Sequence, residues 1–330
     1  MDSQSRTLSL SFPKGITITI HSAFDSVISN LTHDFVSFLS AEPVASPSLK
    51  VEILNLALLP EKRIGFRVFR SSTRWSRNGE QCVRFFGKAE LKYHFNRGYA
   101  KVVATEPDLA YEMVYSLILS YVGERLDLVG WHRIHGLGVD INGKGALVLA
   151  PSGGGKSSLG FEFLKIPNAK WLSDDVPLVS CKSEMLAWPL RFSFREKPAD
   201  RSLKLRRFRR ERYPEKFVLS AEQFQGKIRQ FSKVDYLVRY RKLSHGSAKI
   251  KRLYPRNMVW PLFKWLVIGY ETPQIAELFL RPSFSDMTQK TKILKGRLAT
   301  MRHLLTHAKL LEVSAPTPRA GAEALASVLS

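Results

Sequence analysis

A glycine-rich turn followed by lysine and serine is the first feature of this chain that could do chemistry. It covers residues 150–158 and reads Ala-Pro-Ser-Gly-Gly-Gly-Lys-Ser-Ser. In a phosphate-binding loop, glycines let backbone N–H groups point at an anion, and the following helix adds the positive end of its dipole. The turn departs from the usual motif at its first position, where Ala150 replaces glycine. The pattern therefore predicts a nucleotide-binding loop.

The residues of this loop have distinct expected roles. In such motifs the lysine reaches the outer phosphates of ATP, and the hydroxyl after it binds Mg²⁺. We therefore expect Lys156 to contact the phosphates and Ser157 to bind the metal. A glycine turn with a chance Lys-Ser after it is the alternative. The predicted nucleotide-binding set is Ser152, Gly153, Gly154, Gly155, Lys156, Ser157 and Ser158.

Two adjacent carboxylates, Asp174 and Asp175, interrupt an apolar segment eighteen residues after Lys156. Neighbouring side chains on a strand point to opposite faces, so the pair must lie at a turn or strand end to share one site. There, one carboxylate can hold Mg²⁺ while the other accepts a proton from an attacking hydroxyl. A turn whose aspartates cap backbone groups is the alternative. The position beyond the phosphate loop favours the metal-and-base interpretation.

Three blocks in this region resemble one known family. They are residues 135–143 (His-Gly-Leu-Gly-Val-Asp-Ile-Asn-Gly), the phosphate loop, and residues 173–176 (Ser-Asp-Asp-Val). Together they resemble the nucleotide-binding core of bacterial HPr kinase/phosphorylase and its HPr-kinase-like relatives, over roughly residues 130–180.

The resemblance implies roles for individual residues and for the fold. Asp174 matches the family's catalytic base, Asp175 its magnesium-binding partner, and His135 a histidine near the transferred phosphate. Together with Lys156, Asp174 and His135 form the expected catalytic set. The implied fold is an α/β P-loop kinase core related to phosphoenolpyruvate carboxykinase, and the family also implies a homo-oligomer. A structural strand histidine is the alternative for His135.

One departure from the family concerns the substrate. The Glu-Asn-Arg-Gly segment that follows the aspartates in HPr kinases has no counterpart, and residues 188–198 (Trp-Pro-Leu-Arg-Phe-Ser-Phe-Arg-Glu-Lys-Pro) stand there instead. This puts the HPr protein and the phosphorylase half-reaction in doubt. The closer likeness is to divergent HPr-kinase-like proteins whose substrates vary. Within the segment, Arg191 and Arg195 either clamp a phosphate or belong to a solvated basic strand.

Hydrophobic periodicity predicts the elements that position these residues. Residues 145–150 read as a buried strand and residues 157–165 as a helix, which is the context that a phosphate loop requires. Residues 1–128 read as an N-terminal α/β module and residues 129–330 as the P-loop domain. The further predicted elements are strands at 17–20, 50–59, 63–70 and 83–95, a hairpin or loop at 71–80, and helices at 24–39, 107–128, 290–311 and 319–329.

Composition indicates an ordinary globular protein of 330 residues, 44% hydrophobic and 24% charged. Two cysteines are too few for a disulfide framework or a cysteine-built metal site. The N-terminus has an early acidic residue and no long apolar core, so it does not read as a secretory signal. We therefore expect a cytoplasmic protein, with attachment to the inner face of the membrane as a further option.

The positive charge is concentrated at the C-terminal end. Residues 201–330 carry 27 Lys and Arg against 9 Asp and Glu, and so provide +18 of the net +22. Such a field attracts anionic partners. Candidates are acidic peptides, phosphorylated or acidic sugars and anionic lipid, with nucleic acid less favoured. A solvated basic face is the alternative.

An aromatic segment at residues 258–270 lies within this basic region. Its proline and lysine make it too interrupted to span a bilayer. A buried core element is favoured, and an interfacial segment beside anionic lipid is the alternative.

The sequence supports two functions. The favoured one is an ATP-dependent kinase that transfers a phosphoryl group to the hydroxyl of an anionic substrate, either a peptide serine or a sugar-type acceptor. The alternative is a nucleotide-dependent switch ATPase that binds nucleic acid or membrane. Two adjacent carboxylates fit transfer to a hydroxyl better than a switch, which usually needs one acidic metal ligand.

Overall fold

The computed structural model describes residues 6–57, 66–69, 72–77, 80–85, 87–198, 200, 202–210, 213–272 and 284–330. The chain is mixed α/β with several mixed sheets. It divides into two compact units. The first contains the described residues of 1–125 and 207–216, and the second those of 126–206, 217–275 and 282–330. The predicted division after residue 128 remains a prediction.

The first unit is built on one eight-stranded mixed sheet. Its strands are β1 (Arg6–Phe12), β2 (Ile16–Ser22), β3 (Leu49–Asn55), β4 (Phe66–Phe69), β5 (Ser72–Arg77), β6 (Glu80–Phe85), β7 (Ala89–His94) and β8 (Tyr99–Ala104). Their order is β1-β2-β3-β8-β7-β6-β5-β4, with parallel pairs only at β2–β3 and β3–β8 among these strands. The helices are α1 (Asp25–Asp34) and α2 (Pro107–Leu128), and α2 continues past the boundary at residue 125.

Several predicted elements of this unit are confirmed and others are wrong at their ends. The strand at 17–20 lies within β2, and the helix at 107–128 has the predicted bounds. The helix predicted at 24–39 ends at Asp34, and a short 3₁₀ turn follows. The region 83–95 is two strands, because a turn at residues 87–88 separates them. Of the alternatives for 71–80, the hairpin is right, since β5 pairs with β6. Residues 58–59 and 63–65 lie outside the described part of the chain.

The second unit contains most of the remaining elements. Its strands are β9 (His132–Arg133), β10 (Leu137–Ile141), β11 (Lys144–Leu149), β12 (Ala169–Ser173), β13 (Leu178–Val179), β14 (Glu184–Leu186), β15 (Arg191–Phe194), β18 (Phe231–Lys233), β19 (Tyr236–Lys242), β20 (Lys249–Arg252) and β21 (Lys309–Ala315). Its helices are α3 (Lys156–Phe163), α4 (Pro255–Leu262), α5 (Phe284–His307) and α6 (Pro318–Leu329). Strands β16 (Leu205–Arg210) and β17 (Tyr213–Ser220) cross the unit boundaries.

A six-stranded mixed sheet forms the centre of this unit, in the order β12-β10-β11-β19-β21-β20. Strands β11, β19 and β21 run parallel, and the other pairs are antiparallel. The apolar side chains of this sheet pack with α4 and α5 in one core that includes Leu147, Leu237, Met258, Leu262 and Leu304. A smaller sheet in the order β18-β14-β13-β9 lies in the same unit.

Strand β11 and helix α3 confirm the predicted strand and helix on either side of the phosphate loop. The helix predicted at 290–311 begins earlier and ends at His307, because residues 309–311 pair with β19 and β20 as part of β21. The predicted helix at 319–329 is α6. Among the helices that the structure describes, none combines the length and the apolar character that crossing a bilayer requires.

Candidate functional site

The glycine-rich turn lies at the carboxyl end of β11, immediately before α3. Ligands of open α/β sheets bind at such carboxyl ends, where helix N-termini point. Two loop positions need the conformational freedom of glycine, since Gly153 has φ +79° and Gly155, the N-cap of α3, has φ +90°. A Cβ atom on Gly153 would also lie 2.8 Å from the Arg195 guanidinium. The backbone of this turn therefore depends on glycine at residues 153 and 155.

Lys156 is buried at the base of this loop. Its Nζ donates to the carbonyl of Ala150 at 2.7 Å and to that of Pro151 at 3.3 Å, and lies 2.8 Å from His135 Nε2. Burial lowers the pKa of Lys156, while the negative charges of Asp175, Asp174 and Glu271 act in the opposite direction. The amino group thus sits where it can exchange a carbonyl partner for a phosphate oxygen.

Asp174 follows the last residue of β12, and its side chain is buried. The Ser157 hydroxyl donates to its Oδ2 at 2.8 Å. Its Oδ1 is buried and has no partner of good hydrogen-bond geometry among the described residues, although the Ser193 backbone N–H faces this carboxyl group. Burial and the charge of Asp175 raise the pKa of Asp174 to about 7, while Ser157, Lys156 and the Ser193 backbone N–H oppose the shift. Such a carboxylate can accept a proton near neutral pH.

Asp175 has a different environment, although it is the next residue. Its side chain is 64% exposed, and its Oδ1 lies 3.2 Å from His135 Nδ1. The other ring nitrogen of His135, Nε2, lies 2.8 Å from Lys156 Nζ, so the two ring nitrogens face groups of opposite charge. His135 therefore lies between the exposed carboxylate and the loop lysine.

The structure brings five predicted residues together: His135, Lys156, Ser157, Asp174 and Asp175. The assignment of Ser157 and Asp175 as metal ligands remains a prediction. The Ser157 hydroxyl donates its proton to Asp174, which leaves the lone pairs of its oxygen available to a metal. Ser152, Gly153 and Gly154 form the turn, Gly155 caps α3, and Ser158 lies in its first turn.

Glu271 is a member of the site that the sequence did not predict. Its Oε2 accepts hydrogen bonds from the Ser152 amide and from Trp265 Nε1, both at 3.1 Å, and lies 3.3 Å from His135 Nε2. Glu271 also has φ +66°, a conformation uncommon outside glycine. A carboxylate thus takes up a loop amide that could otherwise bind an anion. No short motif marks a residue 119 positions from Ser152.

The two arginines after the aspartates differ in exposure. Arg195 is exposed, and its guanidinium lies against the Gly153 turn, as the phosphate-clamp interpretation requires. Arg191, on β15, is buried, so the solvated-strand interpretation is wrong for this residue. Arg195 is therefore the better placed of the two to reach a phosphate.

Within the described ranges, no group of three or more His, Cys, Asp and Glu side chains is arranged to hold a metal ion. The oxygen donors beside the loop, Ser157 and the two aspartates, are the type that Mg²⁺ prefers, and the buried Oδ1 of Asp174 fits such a partner. No protein-family model and no curated protein matches this chain.

Proposed function

We propose that this protein is an ATP-dependent kinase of the HPr-kinase-like type that phosphorylates a hydroxyl on an anionic substrate. The observation that carries this proposal is the contact between the Ser157 hydroxyl of the loop and the buried carboxylate of Asp174, whose pKa is raised to about 7. A carboxylate held against the loop with such a pKa fits a proton acceptor for an incoming hydroxyl.

In the proposed reaction, the acceptor oxygen attacks the γ-phosphorus of ATP and the bond to ADP breaks. The hydroxyl proton passes to Asp174, whose pKa of about 7 matches this task near neutral pH. The loop amides and Lys156 hold the phosphates, so catalysis rests on position and charge. Arg195 beside Gly153 would add positive charge at the same loop.

Magnesium fits the oxygen donors on this side of the loop. When bound, it would neutralise the phosphate oxygens and orient them. The sequence assigned Ser157 and Asp175 to the metal, and the hydrogen bond from Ser157 to Asp174 adds a second assignment, in which Asp174 is the ligand. In that arrangement Asp175, beside His135, would take the proton.

The substrate class rests on charge. The +18 of residues 201–330 favours an acidic peptide, a phosphorylated or acidic sugar, or a molecule at an anionic surface. An ATP-dependent reaction of this kind fits the predicted cytoplasmic location, and oligomerisation remains a prediction from the resemblance alone.

Paired variants test the roles of the two aspartates. We expect Asp174→Asn to keep ATP binding and to lose roughly 10²–10⁴-fold in phosphotransfer, because the proton acceptor is gone. Asp175→Asn should instead raise the Mg²⁺ concentration needed for half-maximal rate. Incubation with labelled ATP and native cell extract measures the rate of phosphotransfer. Repeating it over a range of Mg²⁺ concentrations measures the magnesium requirement. The wild-type rate should rise with pH through about 7, since the base must be ionised.

Two outcomes would change the assignment. If Asp174→Asn shifts the magnesium requirement and Asp175→Asn abolishes transfer, the two roles are exchanged. Normal transfer by both single variants would contradict the proposal of a carboxylate base.

The alternative function is a switch ATPase, and the observation in its favour is the basic C-terminal region. It predicts phosphate release to water without any labelled acceptor, stimulated by nucleic acid or lipid.

A further inference from the structure

The chain from Lys249 to Lys264, which we call the basic-aromatic segment, has an unusual charge pattern. Between Asp235 and Glu271 the sequence contains no acidic residue. The same stretch holds eight basic residues: Arg239, Arg241, Lys242, Lys249, Lys251, Arg252, Arg256 and Lys264. A surface of this composition has a positive potential that neighbouring carboxylates in sequence do not offset.

One face of α4 in this segment belongs to the core. Met258 and Leu262 are fully buried and pack with the central sheet and α5. The helix is thus fixed to the second unit by its inner face. The sequence analysis favoured a buried core element at residues 258–270, and for α4 this is right for the inner face only.

The outer face of α4 carries large apolar side chains in solvent. Trp260 is 66% exposed and Val259 43% exposed, and Tyr254 at the N-cap is 68% exposed. The Trp260 ring stacks on Phe263 with a centroid distance of 6.0 Å. The Arg256 guanidinium lies over the Tyr254 ring at 5.6 Å. Aromatic and basic groups therefore share one exposed surface.

Strand β20 lies beside this surface, at one end of the sheet order, where it pairs with β21. Its four residues, Lys-Ile-Lys-Arg, are all exposed. Because neighbouring side chains on a strand point to opposite faces, Lys249 and Lys251 share the face of Leu253, which packs in the same core as α4, and Ile250 and Arg252 point to the other face. The α4 side of the strand therefore carries two positive charges.

We propose that the basic-aromatic segment docks on an anionic lipid surface. Exposed Trp and Tyr rings favour the headgroup region of a bilayer, and basic residues beside them add attraction to acidic lipids. Nucleic acid would use the charges and rings but would leave the exposed Val259 unexplained, because apolar aliphatic side chains gain most from contact with lipid. The segment lies flat on the surface and does not cross it.

The basic-aromatic segment is linked to the candidate site through the chain. Helix α4 runs into a π-helical turn, Phe263–Val267, and the buried Trp265 of that turn donates its indole N–H to Glu271. Docking would therefore act on the element that holds Glu271 beside the loop. The inference itself does not rest on kinase activity, and its test uses binding alone.

Vesicle sedimentation with the full chain tests the inference. We expect binding to phosphatidylglycerol-containing vesicles at low salt, weak binding to pure phosphatidylcholine vesicles, and loss of binding as salt rises. Trp260→Ala and Lys251→Glu should each weaken binding to acidic vesicles by on the order of tenfold. The matched controls are Phe231→Ala and Lys182→Glu, which change an exposed aromatic and an exposed lysine outside the segment.

The outcomes separate the alternatives. Segment variants that bind acidic vesicles as well as the controls do would overturn the inference, as would equal binding of the wild type to both kinds of vesicle. Binding to oligonucleotides without binding to vesicles would assign the segment to nucleic acid and also overturn it. Thermal unfolding of each variant shows that the exposed substitutions leave the fold intact.

Discussion

The Glu271 carboxylate holds two hydrogen-bond donors beside the phosphate loop, the Ser152 amide and the Trp265 indole. Under the proposed function, a phosphate oxygen would need the same amide, and the carboxylate would repel it. ATP would then have to displace Glu271 or share its donors, at a local electrostatic cost.

At this scale we predict that Glu271→Gln binds ATP more tightly than the wild type. Removing the charge ends the repulsion of the phosphates, and a gain of about 1 kcal/mol corresponds to roughly a fivefold lower Kd. Isothermal titration with ATP measures it, and Glu323→Gln, an exposed change on α6, is the control. Weaker ATP binding by Glu271→Gln would show that the carboxylate shapes the loop instead of competing with the ligand.

The sequence identifies the residues of a short motif better than their environments. The loop residues and the aspartate pair were found because fixed spacings carry them. The burial of Asp174, which together with the charge of Asp175 raises its pKa to about 7, depends on packing that no spacing encodes. Glu271 was missed because it reaches the loop from a distant part of the chain.

Among the elements, the C-terminal end of α2 contains a buried ionic group. Asp127 lies 2.7 Å from Arg297 of α5, 2.9 Å from His132 Nδ1 and 3.2 Å from Arg133. Burial alone would raise the pKa of Asp127, but Arg297 and the His132 and Arg133 side chains hold it well below its usual range. The group links α2, β9 and α5 within the second unit.

We predict that Asp127→Asn lowers the free energy of unfolding by about 3–5 kcal/mol at pH 7, because it leaves buried cations without their counter-charge. The folded-state pKa is depressed, so this contribution is present above about pH 4 and is lost as pH falls. Urea unfolding of the wild type and the variant measures the difference in unfolding free energy at pH 7. The same measurement at about pH 3 should give a smaller difference. The control, Asp108→Asn in the exposed first turn of α2, should cost under about 1 kcal/mol.

A small effect of Asp127→Asn at both pH values would show that the group is rearranged in solution.

Element prediction succeeded where one face of a segment is buried, as in β2, α2 and β11. It failed at the end of α5, since pairing of β21 with two strands outweighs local helical spacing. The π-helical turn at Trp265 likewise has no sequence signature, because it depends on how α4 packs.

For the whole molecule, the division into units could not be read from composition. Residues 207–216 belong with the first unit although the chain on both sides belongs to the second. No linker-like composition marks the points where the chain passes from one unit to the other. The basic run that begins at residue 201 crosses one of these points. The mixed α/β class was predicted correctly, because both strand and helix patterns occur along the chain.

The net charge of +22 predicts how stability responds to salt. Self-repulsion opposes the folded state, and the screening length falls from about 30 Å to about 8 Å between 0.01 M and 0.15 M ionic strength. We therefore expect Tm to rise by a few degrees over this range, on the order of 1 kcal/mol. Scanning calorimetry in sodium chloride measures it. A Tm that falls with salt would show that attractive surface pairs outweigh the repulsion.

Strand β20 has one more consequence for the molecule. An edge strand offers unpaired backbone groups to any other chain that can extend the sheet. In this protein, charge repulsion opposes such pairing, since Lys249, Lys251 and Arg252 would face the same cations on an approaching copy. Fibre-like growth through this edge is therefore disfavoured, and concentrated solutions of the protein should resist it until the cations are neutralised.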